Sequence, residues 1–161
     1  MNNSLDSIDS ITQKIVDEIT TIGTVTVQGT RMIKNSLSDN RYAGLCHAAA
    51  AKFVELAEQH LDLEFEILSF SVGHGWNGGK HVVIRVKAPE GDYIVDPTIR
   101  QYIPEAKMVY APNETYPISI VPGSMKPITQ SFLLHRLLIK FSLKFIFELP
   151  LKLFDVFDKF S

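Results

Sequence analysis

The spacing of apolar positions changes several times along this chain, and each change marks an element. Ile11, Ile15, Val16 and Ile19 recur at helical spacing and predict a short amphipathic helix. The Asn/Ser/Asp-rich residues 1–10 before it are expected to fray. Val25 and Val27 suit a short strand within a polar stretch that runs to Asp39. From Cys46 to Leu61, four alanines join Phe53, Val54, Leu56, Ala57 and Leu61, which gives high helix propensity and one apolar face. Leu63 to Phe70 then alternates as a half-buried strand does. A glycine-rich stretch, Ser71 to Lys80, leads to strands expected at about 81–87 and 91–96, with weaker ones at 106–110 and 117–121. Pro112, Pro117, Pro122 and Pro127 punctuate the connections.

From Ile128 the pattern changes again. Phe132 to Phe160 is dense in Leu, Phe and Ile, while Arg136, Lys140 and Lys144, four apart, form one basic stripe. Charge and Pro150 interrupt this run too often for a clear membrane span. The order of elements predicts an α+β fold, with a helix packed on an antiparallel sheet and hydrophobic helices at the C-terminus. The composition shifts divide it into 1–39, helical and irregular; 40–127, the core; and 128–161, a hydrophobic amphipathic segment.

With 161 residues the chain can bury a proper core, and its net charge of −2 points to no nucleic-acid partner. A single cysteine excludes an internal disulfide framework and a multi-cysteine zinc site. The polar, acidic first ten residues do not resemble a signal peptide, so a reducing cytosol is expected, either the cell's own or one into which the chain is delivered.

That one cysteine, Cys46, opens the strongest helix, where the macrodipole and free backbone N–H groups favour a thiolate and an oxyanion. His81 opens one later strand and Asp96 closes the next. Whether they meet depends on hairpin register. A four-residue loop over Lys87–Glu90 sets His81 opposite Asp96, Val83 opposite Ile94 and Arg85 opposite Asp92. A turn centred on Glu90-Gly91 instead sets Arg85 opposite Asp96 and His81 opposite Arg100. The first register is favoured, because the second places two cation-capable groups face to face.

Cysteine at a helix start, then histidine and aspartate on a hairpin, resembles the papain-like and transglutaminase-like cysteine enzymes. The segment His81 to Tyr102, ending in Asp96-Pro97-Thr98-Ile99-Arg100-Gln101-Tyr102, looks like the core of transglutaminase-like proteins and like the papain-fold glutamine deamidases and peptidases of bacterial toxins and effectors, with the deamidases closest in look. The likeness covers about residues 40–102. It implies Cys46 as nucleophile, His81 as general base and acid, and Asp96 as the group that orients the ring. It also implies a protein or peptide substrate, a carboxamide or peptide bond as the reacting group, and no metal or organic cofactor. Papain-like peptidases carry a glutamine about six residues before the cysteine as an oxyanion donor, and Asn40 stands there. The acyl acceptor stays open: water makes a deamidase or peptidase, an amine a transglutaminase.

Plainer readings stand beside these. Cys46 also suits an inert, buried thiol, and Asp96 before Pro97 a turn. His47, one residue past Cys46, is expected to point about 100° away and to serve packing or the surface. His74 is the rival base, and Trp76, between glycines, suits a lid or substrate platform. The loop Gly73 to Gly79 lacks the Lys-Ser/Thr ending of a phosphate loop. Segment 132–160 suits packing on its own domain or a partner subunit, a membrane-surface helix or a span. On the plainest reading the chain is a non-catalytic binding or membrane-associating module.

Overall fold

The computed structural model describes residues 3–33, 40, 42–73 and 79–129. His74 and Trp76 lie outside the described residues, as does the C-terminal segment with Arg136, Lys140 and Lys144. Among the described residues the fold is α+β, with two α-helices and antiparallel sheets.

Helix α1 spans Asn3–Ile22, so the residues expected to fray are helical from Asn3. Ile8 explains the difference. It extends the stripe Ile11, Ile15, Ile19 by one more turn and is itself 0% exposed. Tertiary burial of that stripe outweighs the weak helix propensity of the Asn/Ser/Asp residues around it. A hairpin of β1 (Thr24–Val27) and β2 (Thr30–Ile33) follows. Glu18 on α1 accepts a hydrogen bond from the Thr26 N–H at 2.6 Å, which ties helix to hairpin.

Helix α2 spans Cys46–His60, much as the periodicity predicts. It buries Ala48, Ala49, Ala50, Ala51, Phe53, Val54 and Ala57, and the alanines let α2 approach its neighbours closely. One core cluster joins Ile8, Ile11, Ile15 and Ile19 of α1, Val25 of β1, this face of α2, and Val82, Ile84 and Val86 of the sheet. The boundary drawn at 39/40 therefore does not divide the core.

The main sheet comprises β3 (Glu64–Ser71), β4 (Lys80–Ala88), β5 (Gly91–Val95), β6 (Val109–Tyr110) and β7 (Lys126–Ile128), in the order β6-β5-β4-β3-β7. Strand β4 is central and covered on both faces, which explains its unbroken run His81-Val82-Val83-Ile84. The α2 side takes Val82 and Ile84. On the other side Leu68, Phe70 and Val83 lie beneath Ile99, Met108, Tyr110 and Ile118. Residues 117–121, expected as a strand, make only a single bridge, Ile120 to Val72. Pro117 and Pro122 bracket that stretch and cannot donate to a ladder. The pairing partner of β3 is instead β7, with Ile128 opposite Ile67.

Neither expected register is the one adopted. The β4–β5 hairpin closes through two residues, Pro89 and Glu90, and pairs Ala88 with Gly91, Arg85 with Ile94 and Ile84 with Val95. His81 and Asp96 are thus diagonal rather than opposite. The favoured register differs from this one by two residues, and because side chains alternate with a period of two, the shift leaves both residues on one face. Arg85 does not face Asp92. Its direct cross-strand partner is Glu66 on β3, with which it forms an ion pair, and Asp92 Oδ2 lies 3.9 Å away. No helix among the described residues is long and apolar enough to cross a membrane.

Candidate active site

The turn Tyr42-Ala43-Gly44 delivers the chain to α2. Gly44 takes φ +77°, a left-handed conformation that costs an L side chain roughly 1–2 kcal/mol. Leu45, the residue before the helix, is apolar and makes no side-chain capping bond to the first-turn N–H groups around Cys46. Cys46 is buried, with 7% of the residue exposed.

His81 and Asp96 are both 0% exposed, and Nε2 of the imidazole lies 2.7 Å from Oδ2 of the carboxylate. Three further donors reach Asp96. The Tyr116 hydroxyl donates to Oδ2 at 2.6 Å, and the Thr98 N–H and Thr98 hydroxyl donate to Oδ1 at 3.0 and 3.1 Å. These bonds fix both carboxylate oxygens, and through them the plane of the ring. The ring is also held edge-on by Phe70, its direct cross-strand partner (centroids 5.6 Å apart, 80°), and by Tyr102 (5.2 Å, 90°).

With Nε2 committed to Asp96, Nδ1 is the nitrogen left for the thiol, and Cys46 and His81 lie close enough for each to shift the other's ionisation. Burial resists charge on both partners and is the largest single influence on each. On Cys46 it is outweighed by hydrogen bonds to His47 and His81 and by their positive charge, so the thiol titrates at about 6. On His81 it is outweighed by the charge and hydrogen bond of Asp96, then by Cys46, so the imidazole is held up to about 10. Both shifts run in the direction that favours thiolate and imidazolium. Burial and then the Asp96 charge drive the Tyr116 hydroxyl strongly upward, which keeps it a donor. Burial, followed by the charges of Cys46 and Asp96, raises Tyr102 to about 12.

His47 corrects its expected role. Its Nδ1 lies 3.5 Å from the Cys46 sulfur, so a second imidazole flanks the thiol. A 100° turn per residue separates Cβ directions, but a ring has enough reach in the first turn of a helix to fold back on its neighbour. Asn40 also has a structural task. Its amide nitrogen donates to the carbonyls of Arg100 and Gln101 at 3.3 and 3.2 Å, and its side-chain oxygen accepts from the Tyr42 N–H at 3.0 Å. It therefore pins the segment before α2 to the 3₁₀ turn Ile99–Gln101, with its amide spent on carbonyls rather than aimed at a substrate. Trp76, the remaining candidate, lies outside the described residues.

Three contributors escaped the pattern analysis. Thr98 had a local signal, since Asp-Pro-Thr favours side-chain-to-backbone turns. Gln101 lies in the 96–102 run, where no pattern of the sequence points to a task for it. Its amide nitrogen is 3.2 Å from His81 Nδ1. Tyr116 had no signal at all, being 20 residues from Asp96 in proline-punctuated coil. Among the described residues no group of three or more His, Cys, Asp or Glu side chains is arranged to hold a metal ion. No protein-family model, no curated protein and no solved structure matches this chain.

Proposed function

We propose that this chain is a cysteine-dependent acyl-transfer enzyme of papain-like/transglutaminase-like architecture that acts on a carboxamide or peptide bond, with a protein glutamine as the preferred substrate group. The observation that carries this reading is the buried set Cys46, His81 and Asp96, in which the carboxylate holds Nε2 of the ring at 2.7 Å and leaves Nδ1 as the nitrogen that can exchange a proton with the thiol. A thiolate with an imidazolium beside it is a nucleophile already paired with its proton donor. The Cys46 sulfur attacks the carbonyl carbon, and the negative oxygen is received by backbone N–H groups of the α2 first turn. The His81 Nδ1–H then protonates the leaving nitrogen, ammonia or an amine departs, and a thioester remains on Cys46. His81, now neutral, takes a proton from water or an amine as it attacks the thioester, which restores the thiolate and imidazolium.

The preference for glutamine follows from the likeness of the 81–102 segment to glutamine deamidases. Iodoacetamide alkylation of the single cysteine against pH tests the pair directly. Fast labelling at pH 6, with the profile moving up in His81→Ala, is the expected result. Labelling that follows an ordinary thiol of pKa about 8.5, unmoved by that substitution, overturns the reading. Incubation of the folded protein with glutamine-containing proteins then separates the chemistries, since ammonia release, amine incorporation and new N-termini mark deamidase, transglutaminase and peptidase.

A further inference from the structure

We infer that Gln101 is a positioning residue of the thiol–imidazole pair, whose side-chain amide competes with Cys46 for Nδ1 of His81. The inference rests on the triad reading above and adds a residue that regulates it.

The geometry fixes which end of the amide faces the ring. The Thr98 hydroxyl gives its one proton to Asp96 Oδ1 at 3.1 Å, so toward Gln101 it can only accept. The Gln101 nitrogen lies 3.4 Å from that oxygen, so this end of the amide carries the donors. The second N–H of the same nitrogen is free to meet His81 Nδ1 at 3.2 Å. His81 in turn donates its Nε2–H to Asp96 Oδ2 at 2.7 Å. Gln101, Thr98, Asp96 and His81 therefore close a ring of hydrogen bonds that is self-consistent only while Nδ1 holds a lone pair. The backbone beneath is fixed as well. The Gln101 N–H bonds the Thr98 carbonyl at 3.0 Å, and the Gln101 carbonyl accepts from Asn40 at 3.2 Å.

This arrangement has two effects. It holds neutral His81 in the tautomer that can receive the thiol proton. It also opposes completion of that transfer, because an imidazolium Nδ1–H meets an amide N–H with nothing to accept it. Gln101 thus stabilises the uncharged thiol and imidazole and restrains the ion pair until the amide turns aside. Among the described residues the other titratable groups around the pair are His47 on α2, Asp96, Tyr102 and Tyr116. All are retained in the test.

That test is alkylation against pH in the parent, Gln101→Met and Gln101→Ala, with His81→Ala as reference and thermal unfolding to establish that each is folded. Both Gln101 variants should shift the apparent thiol pKa downward by roughly half to one unit, the scale of one net hydrogen bond. An upward shift in both would mean that the amide accepts from the imidazolium, and it overturns the inference. No shift in either folded variant does the same. If His81→Ala raises the profile while the Gln101 variants leave it unmoved, this inference falls and the triad stands. If His81→Ala changes nothing, both fall together.

Discussion

His81 and Asp96 meet as diagonal neighbours on one face of the β4–β5 hairpin, 2.7 Å apart at Nε2 and Oδ2, rather than as a directly opposed pair. A diagonal step leaves room for Tyr116 and Thr98 to reach the same carboxylate. Asp96→Asn keeps the shape and removes the charge that, after burial, most influences His81. The imidazole should then titrate lower and the thiol higher. Loss of alkylation at pH 6 and of acyl transfer on the order of 10⁴-fold is the expected result, by analogy with triads in which the same change has been made. A folded Asp96→Asn protein with the parental profile would show that the carboxylate is only structural.

Two imidazoles lower the pKa of one thiol, and they should not be equivalent. His81 is buried and anchored by Asp96, whereas His47 is half-exposed and adjacent to Cys46 in sequence. His47→Ala should raise the apparent thiol pKa by roughly half a unit, because solvent replaces a partly exposed hydrogen bond. His81→Ala should raise it by one to two units, about the worth of a charged hydrogen bond. Equal shifts would contradict this division, and so would a larger effect at His47.

The pair also sets a stability window. The folded imidazole is held up to about 10 against an ordinary value of 6.5, so its contribution is complete below 6.5 and is lost as pH rises through 10. The folded thiol is lowered to about 6 against an unfolded value of 9.0, so its contribution is complete above 9.0 and is lost as pH falls through 6. Between about 6.5 and 9 folded and unfolded chains bind the same number of protons at these two sites, so the pair adds no slope there. Urea midpoints of the parent minus those of Cys46→Ala/His81→Leu should be flat over that range and fall on both sides. A difference that is constant from pH 5 to pH 10 would exclude the coupling.

The hairpin that carries both residues depends on Gly91. Its φ is +128°, and a Cβ there would lie 2.8 Å from the Pro112 ring. Gly91→Ala combines backbone strain with a clash and should cost about 2–3 kcal/mol, read as a lowered urea midpoint with an unchanged m-value. A loss below about 0.5 kcal/mol, the usual size for an unremarkable surface change, would mean that the turn relaxes freely.

Much of this protein follows from short-range rules. Period and propensity identify α2 because alanines and apolar residues repeat within one element. The same rules place His81 and Asp96 on one face, since a register shift of two residues preserves side-chain parity. What they miss depends on distance along the chain. The Asn/Ser/Asp-rich start of α1 is helical because Ile8 is buried by groups far away in sequence. The two-residue turn, the choice of β7 over 117–121 and the arrival of Tyr116 at Asp96 are settled by what packs between the elements. Asn40 shows the limit at one residue. Its spacing before Cys46 suggests an oxyanion donor, yet the 3₁₀ turn that folds beside it offers two carbonyls, and the amide is drawn to them. Local sequence determined which side chains could do chemistry and which way they face. Tertiary packing decided which polar atoms lie within 3 Å of one another, because hydrogen-bond partners are chosen in space.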